Sequence, residues 1–473
     1  QRYTFWVNTN NFFDKEKIIE IFSQEILDPK ETYEKLLSKK KSYIKLADGL
    51  LHSECNNILN QINDIKGLYY DVSLDRYYPQ DGLVSQVLGY VDMNHEGQFG
   101  IEYEFDDLLN GKTSQIIYNR SANGKIKKSL LNNNKNLKSG SDIQLTLDLE
   151  LQSILMDAMN QELKRTNATS SNGIIMNPFT GEILAMGSIP TFNPNYYYKH
   201  DMSTFSNKTI SEAYEPGSTY KLISMAAILE SKLFSLEEQI FCEEGAYEII
   251  PNKIIHDHEP HKNLTLSEIF TYSSNIGIAK IIKDLGSNHI YDFSRKFGFG
   301  IKTGIDLPNE ASGILRPFDD WSGLSSTSIS IGQEISINTL QLALAYSAAA
   351  NGGYLMKPLI IKNIQNQDIN MNFSPQAIRK VISTNTSNSL LKMMELAVNE
   401  GTAYNAQIPG FKIGGKTGTA EKFINGSYSK EKFISSFAAI LPIDKPKYVC
   451  IVSVDSPMYG FHWGNETAAP IVK

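Results

Sequence analysis

Only three cysteines, Cys55, Cys242 and Cys450, occur in 473 residues. That is too few for a disulfide framework, so each region must rely on its own hydrophobic core, and the redox compartment stays open. No run of about 18 apolar residues exists, so no part of this stretch reads as a membrane span or a secretory leader. A basic excess is also missing. The chain carries 45 Lys and Arg against 52 Asp and Glu, a net charge of −7, which argues against a nucleic-acid partner. No repeat of solenoid length is present. What is left is a globular chain long enough for two or three domains.

Residues 1–70 alternate a strand at 3–7 with amphipathic, Lys/Glu-bearing helices at 15–27 and 31–42. Asn132-Asn133-Asn134 and Lys138-Ser139-Gly140-Ser141 form a polar, glycine-containing boundary. The expected domains are therefore 1–140 and 141–473. Past the boundary come a strand at 142–147, a helix at 149–163 and a hairpin around Asn177-Pro178-Phe179-Thr180-Gly181. Helices dominate from 216 to 400, and strands return at 411, 433–441 and 448–454. Cys450 reads as a buried filler of the last strand. Strands at both ends of a helical middle imply an α+β domain with one antiparallel sheet.

Three short segments carry chemistry: Ser218-Thr219-Tyr220-Lys221, Ser273-Ser274-Asn275 and Lys416-Thr417-Gly418-Thr419. Each is common alone. Ser-x-x-Lys recurs at Ser38, Ser42, Ser389, Ser427 and Ser429, Ser-x-Asn at Ser170, Ser336 and Ser383, and Lys-Thr-Gly at Lys302. Context separates them. Ser218 follows Glu215-Pro216-Gly217 and opens an apolar run, a helix start that puts Lys221 one turn on and on the same face. A helix N-terminus also favours an oxyanion. Ser38 and Ser42 flank Lys39-Lys40-Lys41, a solvated face, and Ser389 lies within a periodic helix where a hydroxyl normally meets water or its own turn. Lys416 follows Phe411-Lys412-Ile413-Gly414-Gly415, a short alternating strand with glycines for close approach. Lys302 falls in a turn after a helix. Ser273 to Asn275 sit on a helix–helix loop.

A Ser-x-x-Lys, a Ser-x-Asn and a Lys-Thr-Gly in this order are the parts of penicillin-binding proteins and serine β-lactamases. The segment Tyr214-Glu215-Pro216-Gly217-Ser218-Thr219-Tyr220-Lys221 resembles the nucleophile segment of class B penicillin-binding proteins. Ser330-Ile331-Gly332-Gln333, Ala350-Asn351-Gly352-Gly353 and Glu466-Thr467-Ala468-Ala469-Pro470 are similar to further segments of that family. Arg76-Tyr77-Tyr78-Pro79 and Gly100-Ile101-Glu102 resemble its non-catalytic pedestal. The division-type (septal) transpeptidases look closest. Two departures stand out. The family's cytoplasmic tail, membrane helix and Arg-Gly strand do not precede Gln1, so a trimmed ectodomain of a membrane-anchored, periplasmic protein is expected. The stretch Tyr459-Gly460-Phe461-His462-Trp463-Gly464 is less glycine-rich than usual.

The resemblance implies a transpeptidase domain of the penicillin-binding type on an α/β pedestal at 1–140, acting on peptidoglycan stem peptides that end in D-Ala-D-Ala and acylated by β-lactam antibiotics. It implies Ser218 as nucleophile, Lys221 as base, Ser273 as proton relay, Asn275 as tether, and Lys416 beside Lys221. Thr417, Gly418 and Thr419 would bind substrate, and the backbone N–H groups of Ser218 and Thr419 would form the oxyanion hole. No cofactor is implied, and the implied partners are a membrane glycosyltransferase and divisome proteins. An elongation-type transpeptidase, a β-lactamase or carboxypeptidase, and a β-lactam sensor use the same motifs. Lys221 can act as a base only with its pKa pulled well below the ordinary ~10.4, through burial beside Lys416. Glu421 is the carboxylate nearest to the third motif, and its plain reading is a strand residue facing away or pairing with Lys422 or Lys430. His256-Asp257-His258-Glu259-Pro260-His261, with Cys242 upstream, contains suitable zinc ligands but matches no tight zinc spacing. It reads as a polar loop after a strand at 248–255, and no metal is assigned.

Overall fold

The computed structural model describes residues 2–10, 12–73, 75–110, 118–120, 126–128, 140–424 and 426–473. The chain divides into two compact units, Gln1–Pro79 and Gln80–Lys473. This division precedes the boundary expected near residue 140. Residues just past Pro79 pack with the second unit: Gln86 donates to the carbonyls of Pro190 and Thr204 and accepts from the Ser188 amide. Asn132-Asn133-Asn134 and Lys138-Ser139 lie outside the described residues.

In the first unit, β1 (Arg2–Asn8), α1 (Lys15–Glu25), α2 (Lys30–Leu37), β2 (Tyr43–Leu51), α3 (His52–Gln61) and β3 (Leu68–Ser73) follow in order. The antiparallel sheet runs β2-β1-β3. Alternation along β1 sends Tyr3, Phe5 and Val7 into a core with Ile18, Phe22 and Ile58 of the helices. The second helix is shorter than the 31–42 expected. It stops at Leu37, before the lysine run, where no further apolar residue continues its buried stripe.

The second unit contains α4 (Leu149–Thr166), β4 (Ser170–Met176), β5 (Ile183–Ile189), α5 (Lys221–Ser231), α6 (Leu266–Thr271), α7 (Asn275–Leu285), α8 (Thr339–Ala350), α9 (Thr384–Asn399), β6 (Gly414–Ile424), β7 (Ser427–Leu441) and β8 (Tyr448–Asp455). Its antiparallel sheet has the order β5-β4-β8-β7-β6. One face packs α4, with Leu155 and Met159 among Phe437, Cys450 and Val452. The other face packs the helical middle, including α8, every residue of which is buried. Both faces are covered, so β8 is buried almost throughout and β6 is continuously buried from Gly414 to Gly418. The alternation expected before Lys416 is therefore absent, and Phe411 makes only an isolated bridge ahead of the strand.

The segment 332–337 backs the turn that carries Ser218. Gly217 N–H donates to Gly332 O at 3.1 Å, and Tyr214 exchanges hydrogen bonds with Ile337 at 2.9 Å each way. Gly332 has φ +82°, and a Cβ there would stand 2.1 Å from Gly217 O. Only glycine fits this combination. Gly332→Ala is thus expected to destabilise the unit by at least about 1 kcal/mol in urea unfolding and to displace the Ser218 turn. An unchanged midpoint would show that the contact yields freely.

Candidate active site

Ser218 lies in a 3-10 turn, Gly217–Tyr220, and the α-helix proper begins at Lys221. The helix expected to open at Ser218 is tightened in its first turn. Thr219 Oγ1 donates back to Pro216 O at 2.8 Å, and the buried Tyr346 hydroxyl donates to Thr219 O at 2.8 Å. These bonds fix the turn from below and leave Ser218 partly exposed in a cleft of about 450 Å³. Glu215 fastens it sideways: its Oε1 accepts from Glu334 N at 2.9 Å and from the Tyr428 hydroxyl on β7 at 3.1 Å. Burial holds the Glu215 carboxyl above the usual range despite those bonds, and nearby Glu334 adds to the shift.

Helix α6 ends in a Schellman arrangement, with Ser274 N–H to Ile269 O at 2.9 Å and Ser273 N–H to Phe270 O at 3.2 Å. The left-handed position is normally glycine; here it is Ser273, at φ +61°. Such strain costs on the order of 1 kcal/mol or more, and it coincides with a use. Lys221 Nζ donates to Ser273 O at 2.6 Å, to Ser273 Oγ at 3.2 Å and to Asn275 Oδ1 at 2.7 Å. Ser274 caps α7 by accepting from Gly277 N.

Asp257 completes this corner. Its carboxylate accepts from Ser274 Oγ at 2.6 Å and from the amides of Asn275 and Ile276 at 2.5 and 3.0 Å, at the positive end of α7. Asn275 Nδ2 donates to His256 O at 2.9 Å. The loop considered for zinc is thus a brace for Asn275. His261 stacks on Tyr272, and His258 packs on Trp463. Among the described residues no group of three His, Cys, Asp or Glu side chains is placed to hold a metal ion. The segment 246–256 is a hairpin, Ala246–Ile250 with Lys253–His256, rather than one strand. A turn at residues 251–252, with Asn252 at positive φ, divides it.

Lys221 and Lys416 are both fully buried. Burial pulls the Lys221 amine down to about 7, against an opposing pull from Asp257. Lys416 is pushed well below the ordinary lysine value by burial and then by Lys221. Its Nζ has no hydrogen-bond partner among the described residues and stands 5.8 Å from the centre of the Phe270 ring.

Strand β6 is an edge strand that carries Lys416 to Thr419 along the cleft. Thr417 and Thr419 line the cleft together with Ser218, Ser273 and Asn275. The Ser218 turn touches β6: a Cβ on Gly217 would lie 3.0 Å from Thr419 O. Thr417 Oγ1 is 3.0 Å from Thr402 Oγ1, and Gly464 N–H donates to Thr419 Oγ1 at 3.1 Å. All eight candidate residues therefore fall in or directly beneath one cleft. The rival copy at Lys302 does not; its Thr303 and Gly304 amides donate to Glu310. Glu421 is exposed, and Lys422 pairs with Asp455 at 2.7 Å instead. The sequence reading missed Asp257 and Thr402 as site residues, and also Glu259, Glu400 and Glu466 on the cleft wall. The His256–His261 segment drew attention only as a possible zinc site, and Glu466 only as part of a segment resembling the family.

Residues 173–473 match the model of the penicillin-binding protein transpeptidase domain, and residues 1–145 match the penicillin-binding protein dimerisation domain. Stage V sporulation protein D of Bacillus subtilis is 34% identical over 415 residues, 86% of this chain and 64% of that relative. The peptidoglycan D,D-transpeptidase FtsI homolog of Mesostigma viride is 31% identical over 462 residues, 91% of this chain and 77% of its own length. Among solved structures, penicillin-binding protein 3 of Mycobacterium tuberculosis complexed with aztreonam superposes with a TM-score of 0.74 at 29% identity. The match covers 86% of this chain and 88% of that one.

The charge balance around Lys221 is directly measurable. With selectively labelled lysine, its Cε resonance should titrate near pH 7. Asp257→Asn keeps the shape but removes the negative charge that raises this value, so the titration should move to lower pH. A midpoint near the ordinary ~10.4, or an upward move in the variant, would contradict the burial account.

Proposed function

Since the chain belongs to the penicillin-binding protein transpeptidase family, we propose that it is a D,D-transpeptidase that cross-links peptidoglycan stem peptides through an ester on Ser218. The observation that carries this reading is the buried Lys221 amine, pulled to about 7 and bonded to both Ser273 and Asn275 in the cleft that Ser218 lines. A serine hydroxyl needs such a neighbouring base before it can attack a carbonyl.

In the proposed reaction, neutral Lys221 takes the proton of Ser218 Oγ as that oxygen bonds to the carbonyl carbon of the penultimate D-Ala. The N–H groups of Ser218 and Thr419 hold the oxyanion, each such donor being worth roughly 3–4 kcal/mol by analogy with other acyl-transferases. The C–N bond then breaks. Its nitrogen takes the proton from Lys221 by way of Ser273 Oγ, and the terminal D-Ala leaves. An amine of a second stem attacks the ester carbonyl and gives a proton to Lys221, which passes it to Ser218 Oγ as the ester C–O bond breaks, restoring the hydroxyl and the neutral amine. Asn275 tethers Lys221 and orients the donor peptide. Lys416, Thr417, Gly418 and Thr419 receive the terminal carboxylate. The donor extends along the open edge of β6 as an added strand.

A septal role is our reading, supported by the likeness to the FtsI homolog. With it go a glycosyltransferase and divisome partners, and a membrane-anchored position on the periplasmic side. Among the described residues no helix is long and apolar enough to cross a membrane.

A fluorescent penicillin should label Ser218 alone, the label should persist for many minutes, and Ser218→Ala should carry none. Label on another serine, or rapid turnover in plain buffer, would refute the assignment. Removing the Lys221 amine should slow acylation by the ~10²- to 10⁴-fold typical of a lost general base. Lys416→Arg keeps the charge but alters its shape, so it should mainly weaken apparent affinity. Equal effects of both changes on the acylation step alone would contradict the two roles.

A further inference from the structure

Trp463 and His258 reach the cleft from opposite walls. Trp463 precedes Gly464, whose amide holds Thr419 Oγ1. His258 follows Asp257, whose carboxylate holds the amide of Asn275. Their rings meet with centroids 4.4 Å apart, and both line the cleft that contains Ser218. Neither ring stands alone. Trp463 lies 4.7 Å from His462, which stacks at 4.6 Å on Phe433 of β7. The His462 carbonyl accepts from Ser435 Oγ at 2.6 Å, so the sheet fixes that end of the row. Rings at this separation attract one another beyond the area they bury, and no peptide can pass between them.

We propose that His258 and Trp463 form a bar across the cleft, limiting the bulk that can lie beside the Ser218 ester and tying the Asn275 wall to the Thr419 wall. The pair is a specificity and positioning device rather than part of the bond-making set. It rests on the reading of the cleft as an acyl-transfer site. A side chain on the donor that is too large for the barred cleft must part the rings, losing their contact. A compact one leaves them together.

The test compares acylation rate constants for 6-aminopenicillanic acid, which has a bare amino group, and a penicillin with a bulky acyl side chain. Taking the bulky-to-compact ratio cancels any general loss of activity. His258→Ala and Trp463→Ala should each raise the ratio about 2- to 10-fold, the range expected for one aromatic pair. The double variant should match the singles, because either change removes the same contact. His258→Phe keeps a ring and should restore the wild-type ratio. An unchanged ratio in both alanine variants, or single effects that multiply in the double, overturns the bar. Failure of both penicillins to acylate the wild-type protein would instead overturn acyl transfer at Ser218, and the bar with it.

Discussion

The catalytic unit is organised around the burial of two amines. A lysine sealed from water resists protonation, and two sealed together resist it more. Lys221 meets this constraint with three acceptors from one loop, while Lys416 has none among the described residues. The surrounding architecture follows from that difference. The strained Ser273 turn exists where a carbonyl and a hydroxyl must both reach Lys221. The Asp257 brace holds Asn275, the third acceptor, and softens the depression of Lys221 by its own charge.

Much of this was legible in the sequence because the chemistry is local. Pro216-Gly217 ahead of Ser218 marks a turn, and one helical turn separates Ser218 from Lys221. The glycines before Lys416 announce a close approach, which Gly415 makes to Phe437 and Ala438. Cys450 proved a buried filler of the central sheet. The strand alternation failed because alternation reports a strand with one wet face, and β6 has none between Gly414 and Gly418. The helix start failed by one short turn, because Tyr346 and Pro216 draw Thr219 into a tighter winding than periodicity can register.

What stayed hidden depends on partners remote in sequence. Asp257 looks like a metal ligand among histidines until the N-terminus of α7 is seen against it. Glu215 looks like a turn residue until Tyr428, on a strand from the far end of the chain, donates to it. The bridging rings of His258 and Trp463 could not be paired in advance, since nothing local to either segment names the other. Gly332 carries the same lesson: its glycine identity is imposed by the carbonyl of Gly217.

Sheet order β5-β4-β8-β7-β6 also bears on how the protein is made. Strand β4 lies between β5, its immediate successor, and β8, near the end of the chain. The two are joined by bonds such as Ser171 Oγ to Ser453 O, 282 residues apart in sequence. On the ribosome, the pedestal core closes early from neighbouring elements. The inner edge of β4 emerges with its partner still unsynthesised. Non-local pairings of this kind form slowly and leave an open strand edge exposed in the meantime. Nascent chains of this protein therefore pass through a long interval with a folded N-terminal core and an unfinished sheet, and folding helpers have the most to do in that interval.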